Sequence, residues 1–289
     1  MFVKKADGTT QPYKRAKIIA TCLRLHASRE TAEAIVDKIE SQLYDGIPTK
    51  KILQMIYKYL IDSPVIKHQI DLRMAISLLR PQPDFEQFIR MLLEEYGYTV
   101  FDSQIVQGKC VEHEIDAIAY RGANTYLVEI KHHRNHHSYS GLDIPRITQA
   151  TFEDVADGYK LHLNSINFTK ALIVCNTKFS EHATQYAKCK GIDLIGWKTP
   201  LNYGLEQMID EKKLLPISIL KRLDKKSMKK LADNHIVLLK QLITINIDDL
   251  WKKTRIPKIQ LEKIIKTAKE ILSNYREFVN LDKERKSTP

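Results

Sequence analysis

The distribution of apolar residues predicts a multidomain α/β protein. It would have a mostly helical N-terminal region with a small β element, a central region where strands alternate with helices, and an all-helical C-terminal region. Three observations carry this reading. Arg80-Pro81-Gln82-Pro83-Asp84 sets two prolines at alternate positions, where no helix continues. Pro200 and the tract after it mark a second boundary. Between the two, short strand-like runs alternate with segments of helical period, the pattern of an α/β layer. The 289 residues suffice for two or three domains, taking roughly 100–200 residues for each.

In order, Met1–Tyr13 reads as a short β segment turning at Asp7-Gly8. Helices are expected at 14–26, 29–43, 49–61 and 66–79. The third puts Ile52, Leu53, Ile56 and Leu60 on one stripe, with Thr49 as its N-cap. Asp84 is placed to cap a helix at 85–96, whose apolar face is Phe85, Phe88, Ile89, Leu92 and Tyr96 and whose stop is Gly97. Strands are expected at 98–102, 113–120 and 125–131, the last two joined by a hairpin turn at 121–124. A helix at 145–163, a buried strand at 170–176, a capped helix at 180–190 ending at Gly191 and a strand at 192–197 follow. From about 214 onward the chain reads as short-looped helices, without internal repeats or low-complexity segments.

The chain is 43% hydrophobic and 28% charged, ordinary for a globular protein. No apolar run reaches the ~20 residues that span a bilayer. The start of the chain lacks the apolar core of a signal peptide. Cys22, Cys110, Cys175 and Cys189 are widely spaced, which argues against a zinc ribbon and a disulfide framework; a cytoplasmic location is expected. Net charge is +11, and residues 207–289 contribute +9 of it. A basic third on a near-neutral body points to a polyanionic partner such as nucleic acid. Lys-rich helices that only keep a surface soluble produce the same count, and charge alone does not separate the two.

The residues that carry chemistry are in the central region. Asp116 sits early in one expected strand, and twelve residues separate it from Glu129-Ile130-Lys131 at the end of the next. Alternate side chains share a face of a strand, so Leu127, Glu129 and Lys131 point one way and Tyr126, Val128 and Ile130 the other. A hairpin then sets Asp116 beside Glu129. Two carboxylates suit Mg²⁺ or Mn²⁺, which polarises a phosphoryl oxygen and acidifies a bound water. A lysine on the same face orients or deprotonates that water and offsets developing charge. A cross-strand ion-pair cluster worth about 0.2–1 kcal/mol gives the same spacing. The surrounding order of helix, strand, hairpin, helix, strand favours the catalytic reading.

Phe85-Glu86-Gln87-Phe88, Tyr96-Gly97-Tyr98, Glu114-Ile115-Asp116-Ala117-Ile118 and Val128-Glu129-Ile130-Lys131 complete the pattern. Over 84–197 the chain resembles the Mrr-type restriction endonuclease domain of the PD-(D/E)xK superfamily. The resemblance implies a restriction-endonuclease-like α/β/α sheet. It also implies metal ligation by Asp116 and Glu129, a catalytic Lys131, an accessory acidic Glu86 and, further from the reaction, Gln149. His132-His133-Arg134-Asn135-His136-His137 follows directly. Its histidine pairs at spacing four suit zinc on a helix, but a loop at the rim of a nuclease cleft is the better reading. His113 is read as a packed or rim histidine.

Val3-Lys4-Lys5-Ala6-Asp7-Gly8, Gln11-Pro12-Tyr13, Lys17-Ile18, Ile47-Pro48-Thr49 and Asp71-Leu72-Arg73-Met74-Ala75 resemble the ATP-cone domain. That resemblance implies binding of ATP or dATP, with Lys5, Lys17 and Thr49 as the best-matched contacts and Lys4 and Lys14 as further ones. Lys4, Lys5, Lys14, Arg15 and Lys17 supply charge beside a tight turn for a triphosphate. No Gly-x4-Gly-Lys-Ser/Thr loop is present, so the nucleotide is expected as an allosteric ligand rather than as fuel. A helical interaction domain without nucleotide is the competing reading. The C-terminal helices resemble a tandem helix-hairpin-helix unit, with Asn234-His235 and Arg255-Ile256-Pro257 where hairpin glycines are usual. Backbone contact to nucleic acid through Lys252, Lys253, Arg255 and Lys258 is expected; dimerisation or packing is the alternative.

The expected domains are therefore 1–82, an ATP-cone; 83–206, a PD-(D/E)xK nuclease; and 207–289, a basic helical domain. The expected function is a metal-dependent DNA endonuclease tuned by ATP or dATP, serving in restriction, phage defence or repair. A homo-oligomer with DNA as partner and no membrane association is expected. A non-catalytic nucleotide-responsive nucleic-acid binder and a ribonuclease are the alternatives.

Overall fold

The computed structural model describes residues 1–5, 8–25, 27, 29–60, 69–201 and 203–285, without the side chains of 274 and 276–285. Asp7 of the expected first turn and the expected start of a helix at 66 lie outside the described residues. The chain is a multidomain mixture of helices and sheets and divides into two compact units. One comprises Met1–Asp71 with Leu220–Arg222 and Lys263–Pro289; the other comprises Leu72–Ile219 and Leu223–Glu262.

The first unit opens with β1 (Phe2–Lys4) and β2 (Thr10–Pro12), an antiparallel pair in which Val3 faces Gln11. The connecting turn closes through the Lys5 N–H on Thr9 O at 2.8 Å and needs Gly8 at φ 84°. Helices α1 (Arg15–Arg24) and α2 (Arg29–Glu40) follow, then β3 (Ile47–Pro48) and α3 (Thr49–Leu60). β3 returns parallel to β1, pairing Val3 with Ile47 and Lys4 with Pro48. The apolar stripes converge on one core of Val3, Ile18, Cys22, Ile35, Ile39, Ile47, Ile52 and Ile56.

The second unit begins with α4 (Leu72–Ser77) and α5 (Glu86–Glu95). Asp84 does not cap α5 as expected, because its buried carboxylate is taken by Arg80, with Nε at 2.8 Å and Nη2 at 2.7 Å. A bidentate charged pair outcompetes a single cap bond. Then come β4 (Thr99–Phe101), β5 (Gln104–Gln107), β6 (Glu112–Ile115), β7 (Ala117–Arg121) and β8 (Asn124–Lys131). The expected strand over 113–120 is thus two strands broken at Asp116, and β5 was not expected. β6 pairs with β5, and β7 with β8 and β4, so the ladder changes partner at the break.

The chain continues through β9 (Tyr139–Ser140), α6 (Asp143–Lys160), β10 (Lys170–Cys175), β11 (Lys178–Phe179), α7 (Glu181–Lys190) and β12 (Asp193–Ile195). The main sheet has the order β12-β10-β8-β7-β4, parallel through β8 and antiparallel beyond it. β10 is buried from Ala171 to Cys175, as a strand covered on both faces must be. On one face Ile118 and Leu127 meet Phe152 and Val155 of α6, while Ala171, Ile173 and Cys175 meet Ala183 and Ala187 of α7. On the other, Ala119, Val128, Leu172 and Val174 are buried, and α5 lies against β4.

Helix α8 (Leu205–Lys212) precedes the expected start of the helical region. α9 (Lys225–Ala232), α10 (Leu239–Thr244), α11 (Ile247–Thr254) and α12 (Lys258–Arg285) complete the chain. Leu127 is fully buried between α6 and the sheet, so Leu127→Ala should lower stability by about 2–5 kcal/mol. Urea denaturation reads this out, and a loss below about 1 kcal/mol would contradict the assigned face.

Candidate active site

The site is built from the end of one strand and the break in another. The β7–β8 register pairs Ala117 with Val128, so the next step sets Asp116 opposite Glu129. The Ile130 N–H donates to Asp116 Oδ2 at 2.7 Å, a ladder bond supplied by a side chain. Two residues along the same face, Lys131 Nζ lies 2.5 Å from Glu129 Oε1. Glu86 opens α5 with its side chain 10% exposed and faces Arg90 at 3.7 Å.

Burial and the neighbouring charge of Glu129, with a smaller contribution from Glu86, push the Asp116 carboxyl up to about 6. The Ile130 N–H and Lys131 oppose this without cancelling it. For Lys131, burial pulls the ammonium down, but the Glu129 hydrogen bond and the surrounding carboxylates raise it further, so it stays protonated. The structure therefore brings Asp116, Glu129 and Lys131 together and sets Glu86 within electrostatic reach. Gln149 turns instead to Glu153, at 2.7 Å.

Crowded, desolvated carboxylates are a donor set short of positive charge, and hard oxygen donors suit Mg²⁺ or Mn²⁺. Among the described residues no three His, Cys, Asp or Glu side chains are gathered as metal ligands. An ion held by Asp116 and Glu129 would complete its shell from water and substrate, the habit of Mg²⁺ at phosphate sites.

The four histidines after Lys131 are not gathered around a zinc site. His132 contacts Ile76 O through Nε2 at 3.1 Å and packs on Phe85. His133 contacts Ser140 Oγ at 3.1 Å. Burial lowers the pKa of both imidazoles. Asn176 holds the His133 backbone at both its N–H and its carbonyl, each at 2.8 Å. Sequence reading missed Asn176; its only signal is a polar residue directly after the apolar run of β10. His113 is indeed packed, on Asp154 Oδ2 at 2.8 Å. Asp154 also takes the Cys110 and Val111 N–H groups, and the His113 contact leads in holding its carboxyl below the usual range.

In the first unit, β1–β3 pairing sets Lys4 beside Pro48, one residue before Thr49 at the start of α3. Lys17 Nζ donates to Gln11 Oε1 at 3.0 Å, and Lys14 precedes the first turn of α1. Lys5 flanks the β1–β2 turn. Arg15, beside these lysines, is paired with Asp37, at 2.6 Å, and Glu40. At the two C-terminal hairpin turns the glycine position is filled by His235 at φ 60° and Arg255 at φ 53°. The first turn is used internally, with His235 O accepting from Gln87 and Gln241 and Asp233 paired with Arg80. At the second, Arg255 and Lys258 each lie 5.4 Å from the exposed Trp251 ring.

Family models match the chain in three stretches: an ATP cone domain at 1–75, a restriction endonuclease domain at 80–199 and the C-terminal domain described as AF1548-like at 215–272. An uncharacterized protein of Archaeoglobus fulgidus is 36% identical over 181 residues, covering 63% of this chain and 98% of that protein. A second uncharacterized protein of that organism is 42% identical over 38 residues, 13% of this chain and 81% of its own length. The crystal structure of a protein of unknown function, AF1548, covers 69% of this chain and 98% of its own at 34% identity and a TM-score of 0.57.

The raised Asp116 carboxyl has a definite consequence for stability. Its protonated form is favoured in the fold, so its contribution is full below the ordinary value of 3.8 and is lost as pH rises through about 6. Without metal, Asp116→Asn should be more stable than the parent at pH 7 by on the order of 1–2 kcal/mol, allowing for solvent screening, with no gain near pH 4. Adding Mg²⁺ or Mn²⁺ at pH 7 should stabilise the parent and not the variant. Equal denaturation midpoints at pH 7 would contradict the charge crowding.

Proposed function

Since this chain belongs to the AF1548-like family of proteins with a restriction endonuclease domain, we propose that it is a metal-dependent DNA endonuclease whose activity responds to ATP or dATP. The observation that carries the reading is the opposition of Asp116 and Glu129 across the β7–β8 hairpin, with Lys131 on Glu129.

In this reading Asp116 and Glu129 hold the divalent ion, which supplies Lewis-acid polarisation of the scissile phosphoryl group and a more acidic water. Asp116 is largely ionised at neutral pH despite its raised pKa of about 6, so it can ligate there. The backbone N–H of Ile130 fixes Oδ2, and Oδ1 would be the oxygen offered to a cation. Lys131 carries a proton, so its role is to orient the attacking water and offset charge on the phosphoryl oxygens rather than to abstract a proton. Water adds to phosphorus as its proton passes to solvent, the bridging P–O bond breaks, and the leaving oxygen takes up a proton from solvent. Glu86, paired with Arg90, acts as the accessory acidic residue that keeps the site selective for a cation.

For the N-terminal domain the proposed ligand is ATP or dATP, held by Lys4, Lys5, Lys14, Lys17 and Thr49. The β1–β3 pairing that sets Lys4 near the start of α3 supports this set. Destruction of foreign DNA, with nucleotide as the signal, is the proposed setting.

The purified chain should cut plasmid and linear DNA with Mg²⁺ or Mn²⁺ and stop with EDTA. Asp116→Ala, Glu129→Ala and Lys131→Ala should each lower the rate by at least about 100-fold, with circular dichroism unchanged. DNA binding without cutting would replace the enzyme by a non-catalytic binder, and cutting of RNA alone would make it a ribonuclease. ATP or dATP should change the cutting rate at least several-fold, and Lys5→Ala/Lys17→Ala should abolish the change. Identical rates at every nucleotide concentration would remove the regulatory part.

A further inference from the structure

We propose that residues 134–139 form a preset arm that grips the DNA backbone beside the catalytic centre, with Arg134 and Tyr139 as its contacts; this rests on the nuclease reading.

The arm begins three residues after Lys131. Three residues of chain reach about 10 Å at most, about three base-pair steps along the axis of a duplex. Its two ends are fixed by buried polar groups. At the entry, Asn176 holds the His133 N–H and carbonyl, and His132 is tied to Ile76 O. At the exit, Ser140 Oγ meets His133 Nε2 at 3.1 Å and Thr177 Oγ1 at 2.9 Å. Asn176, Thr177 and Ser140 are fully buried. Inside the arm, Asn135 Oδ1 accepts the His137 N–H, and Asn135 O accepts from Ser138 N–H and Oγ. β9 then pairs with β11, setting Tyr139 beside Lys178.

Burying polar side chains is costly unless each is satisfied, and satisfied groups mainly confer rigidity; Asn176, Thr177 and Ser140 have their partners, while His132 Nδ1 has none among the described residues. Here that rigidity holds a surface segment in which Arg134, Asn135, His137 and Tyr139 are exposed and His136 and Ser138 half-buried. Arg134 and His137 are exposed, and Tyr139 is 60% exposed. From Lys131 to Leu142 the chain carries Lys131 and Arg134 and no acidic residue. Arginine forks match phosphate oxygens, and tyrosine offers a hydroxyl and a flat ring to phosphate and sugar. An arm ordered during folding does not lose that entropy again on binding.

The test uses the full chain and a 30-base-pair duplex in EDTA, read by fluorescence anisotropy, with cutting measured separately in Mg²⁺. Arg134→Ala and Tyr139→Ala replace exposed side chains and leave the buried network in place. Each should weaken binding about 5- to 30-fold and raise KM more than it lowers kcat. Arg134→Ala should also reduce the slope of log affinity against log salt by about 1. Lys188→Ala, an exposed lysine on α7, should change none of these. Unchanged affinity and salt slope in both arm variants, with a parent that binds and cuts, would falsify the arm and leave the nuclease standing. A parent that neither binds nor cuts DNA would overturn the nuclease reading, and the arm with it.

Discussion

One hydrogen bond, from the Ile130 N–H to the Asp116 carboxylate, organises the end of the sheet where the candidate site lies. It stands where a backbone carbonyl would have continued the ladder. In taking that place, Asp116 ends one strand pairing and starts another, so β6 stays with β5 while β7 joins β8. The same bond prevents the carboxylate from swinging away from Glu129, although the two negative charges repel. That repulsion, together with burial, is written into the raised Asp116 carboxyl.

The same device recurs where other strands end. Asp154 on α6 collects the N–H groups of Cys110 and Val111 and the His113 ring, closing the β5–β6 hairpin. Asn176 performs a two-sided version on His133, mimicking a strand partner with one amide. In each case a polar side chain satisfies main-chain groups that would otherwise be stranded where regular pairing stops. The irregular segments around the site thereby keep their main-chain groups paired where the strands end.

The terminal regions show how similar local sequences come to different uses. Both C-terminal turns place a side-chain-bearing residue in the left-handed region. The turn at His235 is spent on α5 and α10 through Gln87 and Gln241. The turn at Arg255 keeps its guanidinium near Trp251, and its carbonyl takes Lys230. In the N-terminal region Arg15 is neutralised by Asp37 and Glu40, while the lysines around β1 and α1 are not drawn into that pair.

Local periodicity was enough to place Glu129 and Lys131 on one face, because alternation along a strand involves only near neighbours. It was likewise enough to find most of the helices and strands that build each core, although Leu53 of the expected α3 stripe is exposed, and the twelve-residue spacing that returns Glu129 to Asp116. The break at Asp116, the β5 partner, the capture of Asp84 by Arg80, the pairing of Arg15 with Asp37 and Glu40 and the Asn176 clamp were decided only by the tertiary structure. Asn176 and His133 are 43 residues apart, as are Asp154 and Val111, while Arg15 and Asp37 are separated by 22. A polar side chain takes whichever partner the fold brings within about 3 Å, and no pattern of neighbours along the chain records which that will be.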